Sequence, residues 1–122
     1  MAKKKEVSIK NKTIYELQAK ICSALSHPVR LEILDLLFEG EKNSTDLLEV
    51  LDIPKANLSQ HLAVLKDAGI IQARKEGVFQ YVSLSLPKIK DACHLVRGVL
   101  LEKMALEEKQ NMQLIKELRA QR

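Results

Sequence analysis

The chain has 122 residues, of which 46% are hydrophobic and only 3% aromatic, so aliphatic side chains must build a core of modest size. Its formal net charge of +4 is mildly basic and suits a polyanionic partner. No apolar run approaches the roughly 18 residues of a membrane span, and no signal-peptide core follows the lysines near the start. The sequence therefore predicts a cytoplasmic protein with no membrane segment, whose two cysteines are thiols.

The first half of the chain predicts three helices after a polar beginning. Residues 1–11 are rich in lysine, and we expect a flexible basic arm there. A helix is predicted from Thr13, which begins a capping-box pattern. A second helix starts at Pro28, is apolar on more than one side and stops before Gly40, so it should be the most buried. Ser44 is the predicted N-cap of a two-turn third helix.

The stretch 53–69 predicts a fourth helix with two different faces. Leu58, Leu62 and Leu65 are spaced i, i+4, i+7, the pattern of one buried stripe. The opposite face consists mostly of small and amide side chains: Ala56, Gln60, Ala63 and Asp67, flanked by Asn57, Ser59 and Val64. Such a face can approach base edges closely, and amides can donate and accept there. A surface helix whose polar face meets only water has the same pattern, so both readings stay open here.

The segments around this helix indicate a DNA-binding arrangement. The third and fourth helices are joined by Asp52–Pro54, which matches the spacing of a helix-turn-helix. Residues 70–75 and 78–84 are strand-like and are joined by a glycine-containing turn. This hairpin carries Arg74 and Lys75 near its tip, where cations can reach the DNA backbone or minor groove. The alternative is that these two cations serve only solubility.

The last predicted helix runs from about residue 87 to residue 119. At ~1.5 Å per residue, this helix is longer than a small domain can cover. Its apolar positions are Ile89, Ala92, Cys93, Val96, Val99, Leu100, Met104, Leu114, Ile115 and Leu118. An uncovered apolar stripe needs a partner, and a second copy would give a two-fold dimer through this helix and the first one. We therefore predict a single domain over residues 12–122 with terminal dimerisation helices.

Three long blocks occur in a characteristic order: Ala24–Leu37, Asn57–Gly69 and Arg74–Leu84. They resemble the opening signature, the recognition helix and the wing of the ArsR/SmtB family of bacterial winged helix-turn-helix repressors. The resemblance covers about residues 13 to 100. It implies a mainly α fold with a β-hairpin wing and a long C-terminal dimerisation helix. It also implies a homodimeric repressor that binds a palindromic operator in double-stranded DNA and is released by an inducer.

The resemblance also assigns roles to individual residues. Ser59, Gln60 and His61 match the DNA-contacting residues of the family, and Arg74 and Lys75 match the contacts made by the wing. With the start of the helix included, the predicted DNA-binding residues are Lys55, Ala56, Asn57, Ser59, Gln60, His61, Arg74 and Lys75. His61 lies between the apolar stripe and the polar face, so packing at the edge of the domain is the alternative for this side chain.

The ligands of the family's metal sensors are missing from this chain. Residues 45–49 contain no cysteine, and no second histidine follows Asp91 and His94, so we predict no metal site and no cofactor. The remaining soft atoms belong to Cys22 and Cys93, on helices expected to meet in the dimer core. Oxidation, persulfidation or arsenical binding at these thiols would change helix packing and release DNA. The alternative is that both thiols are inert core positions.

Three classes of function compete. A sequence-specific DNA-binding repressor is favoured, with either a thiol-reactive or a non-thiol inducer. A winged-helix module that binds protein through its long helix is the alternative, because the recognition face carries Lys55 and Lys66 but also Asp67. An enzyme is disfavoured, since the sequence has no glycine-rich phosphate loop, no nucleophile elbow and no paired acids beside a plausible pocket.

Overall fold

A computed structural model describes the backbone of residues 2–120 and the side chains of residues 12–120. This part forms five α-helices and three β-strands: α1 (Ala2–Leu25), α2 (Pro28–Leu37), β1 (Lys42–Asn43), α3 (Ser44–Leu51), α4 (Lys55–Asp67), β2 (Ile71–Glu76), β3 (Phe79–Leu84) and α5 (Lys88–Ala120). The mainly α fold with a β-hairpin is therefore confirmed. The chain divides into two compact units, residues 1–87 and residues 88–122. The single domain over residues 12–122 stays a prediction. None of the described helices is both long and apolar enough to cross a membrane.

Helix α1 begins earlier than expected. The prediction of a helix start at Thr13 is wrong, because the backbone is helical from Ala2. The residues before Thr13 include alanine, lysine and glutamate, which are strong helix formers, and no glycine or proline interrupts them. The expected flexible basic arm concerns residues 1–11, whose side chains lie outside the described residues, and it stays a prediction.

The core of the first unit lies where α2, α3, α4 and the sheet meet. Helix α2 contributes Ile33, Leu34 and Leu37, each at most 3% exposed, as its apolar residues on more than one side predict. The surrounding elements add Leu47, Leu58, Leu65, Ile70, Ile71 and Val82. Burial of each such side chain contributes about 1.5–3 kcal/mol. The helix-turn-helix therefore rests on an aliphatic core, as the composition requires.

Side chains cap two of the helices that form this core. The backbone N–H of Val29 donates to Nδ1 of His27 at 3.1 Å, so His27 is the N-cap of α2. The N–H of Thr45 donates to Oδ1 of Asn43 at 3.0 Å and caps α3. The prediction that Ser44 is the N-cap is therefore wrong by one position, because the preceding asparagine takes the role.

Left-handed residues end the two helices of the helix-turn-helix. Asp52 has a φ of 50° at the end of α3, a conformation that aspartate adopts more readily than most residues. Gly69 follows α4 with a φ of 78°. The N–H of Gly69 donates to the Lys66 carbonyl at 2.9 Å, and that of Ile70 donates to the Leu65 carbonyl at 3.0 Å. This pair of bonds is a Schellman motif, and β2 follows it directly.

The three strands form an antiparallel sheet in the order β1-β3-β2. Strands β2 and β3 are the predicted hairpin, with Arg74 opposite Tyr81 and Gly77 at a φ of 64° in the turn. Strand β1, Lys42–Asn43, places Lys42 opposite Val82. It was not predicted, because two residues show no alternation of apolar and polar side chains.

The second unit contains α5, a helix of 33 residues and a length of about 50 Å. From Leu95 onward, its large apolar side chains are between 41% and 72% exposed: Leu95, Val96, Val99, Leu100, Leu101, Met104, Leu106, Met112, Leu114, Ile115 and Leu118. An apolar face of this length is exceptional on a protein that acts alone. The exposure of this face therefore supports the prediction, made from the sequence, that the last helix binds a partner.

Candidate nucleic-acid interface

Helix α4 has the predicted buried and exposed faces. Leu58, Leu62 and Leu65 are 3%, 7% and 0% exposed. The exposed face presents Lys55, Ala56, Asn57, Ser59, Gln60 and Ala63. No other residue in the range 12–120 forms a hydrogen bond or ion pair with the polar side chains of this face. Their donors and acceptors are therefore available to a ligand outside the chain.

The beginning of α4 differs from those of α2 and α3. Its N-cap residue is Pro54, which supplies no side-chain hydrogen bond, whereas His27 and Asn43 cap the other two helices. The first N–H groups of a helix carry partial positive charge and attract phosphate. With Lys55 as the first helical residue, this end of α4 suits a DNA backbone.

A cleft of about 80 Å³ lies between the N-terminal ends of α3 and α4. Ser44, Thr45, Lys55, Ser59 and Gln80 supply polar groups of its lining. Ser44, Thr45 and Gln80 were not among the predicted site residues, because their sequence positions suggest only a helix start and a strand. Their hydroxyl and amide groups extend the polar surface beside α4.

The opposite end of α4 is less basic. Lys66 and Asp67 are both exposed there, and the Asp67 carboxylate lies 3.6 Å from Nζ of Lys20 on α1. Both partners are largely solvent-exposed, so this pair adds little stability. Its effect is to offset the one negative charge that made the predicted recognition face only modestly basic.

His61 is half-buried at the edge of the polar face. Its Nδ1 lies 3.2 Å from Nη1 of Arg30, and its ring centroid is 4.4 Å from that of His27. A guanidinium only donates, so Nδ1 of His61 must accept. Burial, followed by the proximity of His27 and Arg30, lowers the pKa of His61 below its ordinary value. One ring nitrogen thus faces the protein, and only Nε2 is left for a contact with DNA.

The two predicted wing cations are in different surroundings, although both are exposed on β2. Arg74 donates from Nε and Nη2 to the two carboxylate oxygens of Glu41 at 3.1 and 2.7 Å, and from Nη1 to Glu76 at 2.7 Å. Its guanidinium also lies 4.6 Å from the centre of the Tyr81 ring. Lys75 has no ion pair with any other described residue. In this conformation Lys75 is the more available cation.

Two carboxylates next to one guanidinium leave a local excess of negative charge at Arg74. The hydrogen bond from Arg74 holds the pKa of Glu41 below its ordinary value, so this carboxylate stays ionised at neutral pH. A phosphate that binds Arg74 must compete with Glu41 and Glu76. The sequence did not predict this pairing, because Glu41 lies 33 positions before Arg74 and approaches it only after β1 has paired with β3.

The two cysteines lie on different units of the chain. Cys22 is exposed on α1, and Cys93 is half-buried on α5. Neither forms a disulfide within the part of the chain that the structure describes. The exposure of Cys22 in the single chain differs from the burial expected of an inert core thiol.

A helix-turn-helix with a polar outward face, followed directly by a β-hairpin, defines a winged helix-turn-helix DNA-binding protein. The sequence profile described as "Bacterial regulatory protein, arsR family" matches residues 27–73. The chain is 34% identical over 93 residues to the uncharacterized HTH-type transcriptional regulator Rv0081 of Mycobacterium tuberculosis, which covers 75% of this chain and 82% of that protein. The chain therefore belongs to the arsR family of transcriptional regulators, which are DNA-binding proteins and not enzymes.

Solved and named relatives agree with this assignment. The crystal structure of Rv0081 matches with a TM-score of 0.69 over 75% of this chain and 93% of that chain. The homodimeric winged helix-turn-helix domain of Mb0332 from Mycobacterium bovis, solved by NMR, matches with a TM-score of 0.70 at 28% identity, over 78% of this chain and 88% of that chain. The transcriptional repressor SdpR of Bacillus subtilis is 38% identical over 72 residues, 59% of this chain and 80% of that protein.

Proposed function

We propose that the chain is a repressor that binds a palindromic operator in double-stranded DNA as a homodimer, in the cytoplasm. The observation that carries this proposal is the outward face of α4. Asn57, Ser59 and Gln60 are exposed there without a partner among the described side chains, on a helix whose other face is buried in the core. Asparagine and glutamine pair with adenine in the major groove through two hydrogen bonds, which gives sequence preference.

Base reading and backbone binding are assigned to different residues. Asn57, Ser59 and Gln60 read base edges in the major groove, and the small side chain of Ala56 lets the helix approach them. Lys55 and the uncapped start of α4 bind a phosphate. Positively charged groups anchor the register of a protein on DNA, whereas amide groups at base edges supply the specificity.

The wing and His61 supply further backbone contacts in this proposal. Lys75 reaches a phosphate or the minor groove directly. Arg74 makes the same kind of contact after phosphate has displaced Glu41 and Glu76 from its guanidinium. His61 donates from Nε2 to a phosphate, because its Nδ1 is occupied by Arg30.

Dimerisation is supported by the exposed apolar face of α5 and by the homodimeric state of the Mb0332 relative. Two-fold symmetry would place two α4 helices on half-sites about one helical turn apart, or a multiple of it. Sedimentation velocity tests this: the native chain should sediment as a dimer. Val96→Glu, which places a charge on the apolar face, should sediment as a monomer, and Lys116→Gln, which makes the same change of one charge on the opposite side of α5, should remain a dimer. A monomeric native chain would contradict the proposal.

DNA recognition is tested by selection from a random duplex library, followed by fluorescence anisotropy with the selected site and a scrambled duplex. We expect a two-fold symmetric site that binds at least about tenfold more tightly than the scrambled duplex, since specific binding exceeds non-specific binding by 10³-fold or more in typical regulators. No enrichment, together with no binding of random duplex at low salt, would instead favour the protein-interaction module.

Release from DNA through the thiols of Cys22 and Cys93 is the second part of the proposal. The exposure of Cys22 supports it, because reaction with an oxidant, a sulfane sulfur donor or an arsenical requires access. Intact-mass spectrometry and a DNA shift assay with each reagent provide the test. Cys22→Ser and Cys93→Ser should abolish the response. An unchanged response in both variants would point to a non-thiol inducer.

A further inference from the structure

Three polar side chains join the recognition helix to the start of α2: His27, Arg30 and His61. Arg30 makes three hydrogen bonds to two other helices of the first unit. Its Nε donates to the carbonyl of Ala24 at 2.7 Å, and its Nη2 donates to the carbonyl of Ser23 at 3.3 Å, both at the end of α1. Its Nη1 donates to Nδ1 of His61 on α4 at 3.2 Å. One guanidinium therefore connects α1, α2 and α4.

These contacts determine which nitrogen of each histidine carries a proton. His61 must accept at Nδ1, because the guanidinium of Arg30 has no acceptor. His27 must also accept at Nδ1, because its partner is the backbone N–H of Val29 at 3.1 Å. A neutral imidazole with Nδ1 as the acceptor carries its proton on Nε2. Both rings, 4.4 Å apart, are therefore held in the same tautomer.

We propose that Arg30 and His27 are positioning residues for the recognition helix and that they act through His61. Arg30 fixes the rotation of α4 against the junction of α1 and α2, and it keeps the proton of His61 on Nε2, the nitrogen directed to DNA in the proposed function. His27 supports the same ring through a tilted ring–ring contact, with 47° between the two ring planes. The DNA-related part of this inference rests on the proposed function, whereas the tautomers are a property of the protein without DNA.

The apolar stripe of α4 does not by itself fix the rotation of the helix. Leu58, Leu62 and Leu65 bury area, and the burial of aliphatic groups has no preferred direction. Contacts with base edges require a site held to within about 0.5 Å. The one ion pair that α4 forms among the described residues, Lys20–Asp67, is too exposed to restrain the helix strongly. The directional bond from Arg30 is therefore the restraint best placed to set the orientation of the reading face.

The contacts among His27, Arg30 and His61 also make the stability of the protein depend on pH. The charged or titratable groups that face His61 are His27 and Arg30, while α1 contributes carbonyl oxygens to Arg30. Burial and these two neighbours hold the pKa of His61 below its ordinary value of 6.5. The unfolded chain therefore binds more protons in the window just below this value. The stability that neutral His61 provides is complete above the unfolded pKa and is lost as the pH falls through the folded pKa.

The first test uses the full-length protein without DNA. Long-range ¹H–¹⁵N NMR should show the Nε2–H tautomer for both His27 and His61, and a pH titration should give a low pKa for His61. In Arg30→Gln the pKa of His61 should move upward, because a positive charge has been removed. His94→Gln is the matched control: it removes the third histidine of the chain and leaves His61 unchanged. An Nδ1–H tautomer in His61, or an unchanged pKa in Arg30→Gln, would overturn the inference.

The second test measures the ratio of affinities for the selected site and for the scrambled duplex. Arg30→Lys keeps the charge but loses the planar fork, and we expect this ratio to fall about tenfold, a change of 1.4 kcal/mol. His27→Asn keeps an N-cap acceptor and removes the ring, so the ratio should fall less. Ile33→Val, a core variant, should lose stability and keep the ratio.

The outcomes of the second test separate positioning from simple stability. An equal fall of the ratio in Ile33→Val and Arg30→Lys would overturn the positioning role. If Arg30→Lys does not fold, His27→Asn decides the question, because an unchanged ratio there would also overturn the inference. If the native chain binds no selected duplex, the proposed function fails, while the tautomers and the pKa shift still decide whether Arg30 controls His61.

Discussion

The recognition helix and the wing tip present their predicted DNA-binding side chains on different kinds of support. Leu58, Leu62 and Leu65 bury one face of α4 in the core, and Asn57, Ser59 and Gln60 on its exposed face have no hydrogen-bond partner among the described side chains. All residues from 74 to 79 are exposed, and Arg74 is held by ion pairs at the surface. Apolar burial is insensitive to moderate salt, whereas exposed charge pairs are screened. In the proposed function, the residues that read bases are thus held by a rigid apolar core, whereas the residues of the wing tip are held by ion pairs that phosphate and salt can rearrange.

The largest effect is expected from removing the support of the helix. Leu65 is fully buried, so Leu65→Ala should lower the free energy of unfolding by about 2–5 kcal/mol, measured by urea denaturation. Val64→Ala is the matched control on the same helix, since this side chain is 41% exposed and should cost much less. A loss no greater than that of the control would show that α4 does not depend on its apolar stripe.

Gln60→Ala tests the exposed face of α4 without changing the buried leucines that hold the helix in the core. A lost base contact should weaken binding of the selected site by about 1–3 kcal/mol, or roughly 5- to 150-fold, and leave the scrambled duplex unaffected. Anisotropy titrations measure both values. Gln113→Ala on α5 is the glutamine control and should change neither. If Gln60→Ala kept the sequence preference, base reading would have to be assigned to other residues of the face.

At the wing, alanine substitutions should weaken binding to all duplexes alike. Lys75→Ala should lower the slope of log affinity against log salt by about one, the value for one phosphate contact. Arg74→Ala should act in the same direction with a smaller change, because its charge is already matched by Glu41 and Glu76. Anisotropy over a series of salt concentrations gives both slopes. Loss of sequence preference in either variant would argue against a purely backbone role for the wing.

The smallest effect should come from the carboxylate that competes with phosphate. Glu41→Gln removes one partner of Arg74, so affinity for any duplex should rise about two- to fivefold, the range expected for an exposed ion pair of under 1 kcal/mol. Glu39→Gln makes the same charge change but only releases Lys42, which lies 3.2 Å away, so it controls for net charge. Equal gains in both variants would mean that Glu41 has no specific hold on Arg74.

The sequence was informative where the physical cause is local. The stripe of Leu58, Leu62 and Leu65 predicts both the helix and its exposed face, because helical periodicity relates neighbouring residues. The contacts of Arg30 with His61 and of Arg74 with Glu41 join positions 31 and 33 apart. Such pairs depend on how the elements pack, and no spacing rule in a single sequence reveals them.

The predicted N-cap of α3 and the predicted start of α1 were wrong for a related reason. Asn43, Ser44 and Thr45 are three consecutive residues that can all cap a helix, so the sequence alone does not choose among them. Near the start of the chain, Thr13 has the residue pattern of a helix start, but the strong helix formers before it continue α1 to Ala2. In both cases several local signals compete, and the packed structure decides between them.

The Schellman motif after α4 leaves no spare chain between the helix and the wing. Gly69 turns the backbone, β2 begins two residues later at Ile71, and Ser85 closes the base of the hairpin through bonds to Gly69 and Ile70. The distance from the end of α4 to the base of the hairpin is therefore fixed, although the exposed residues at the tip of the wing can rearrange. In the proposed complex, substitutions on the exposed face of α4 would change which bases are preferred, whereas the spacing between α4 and the base of the wing would stay constant.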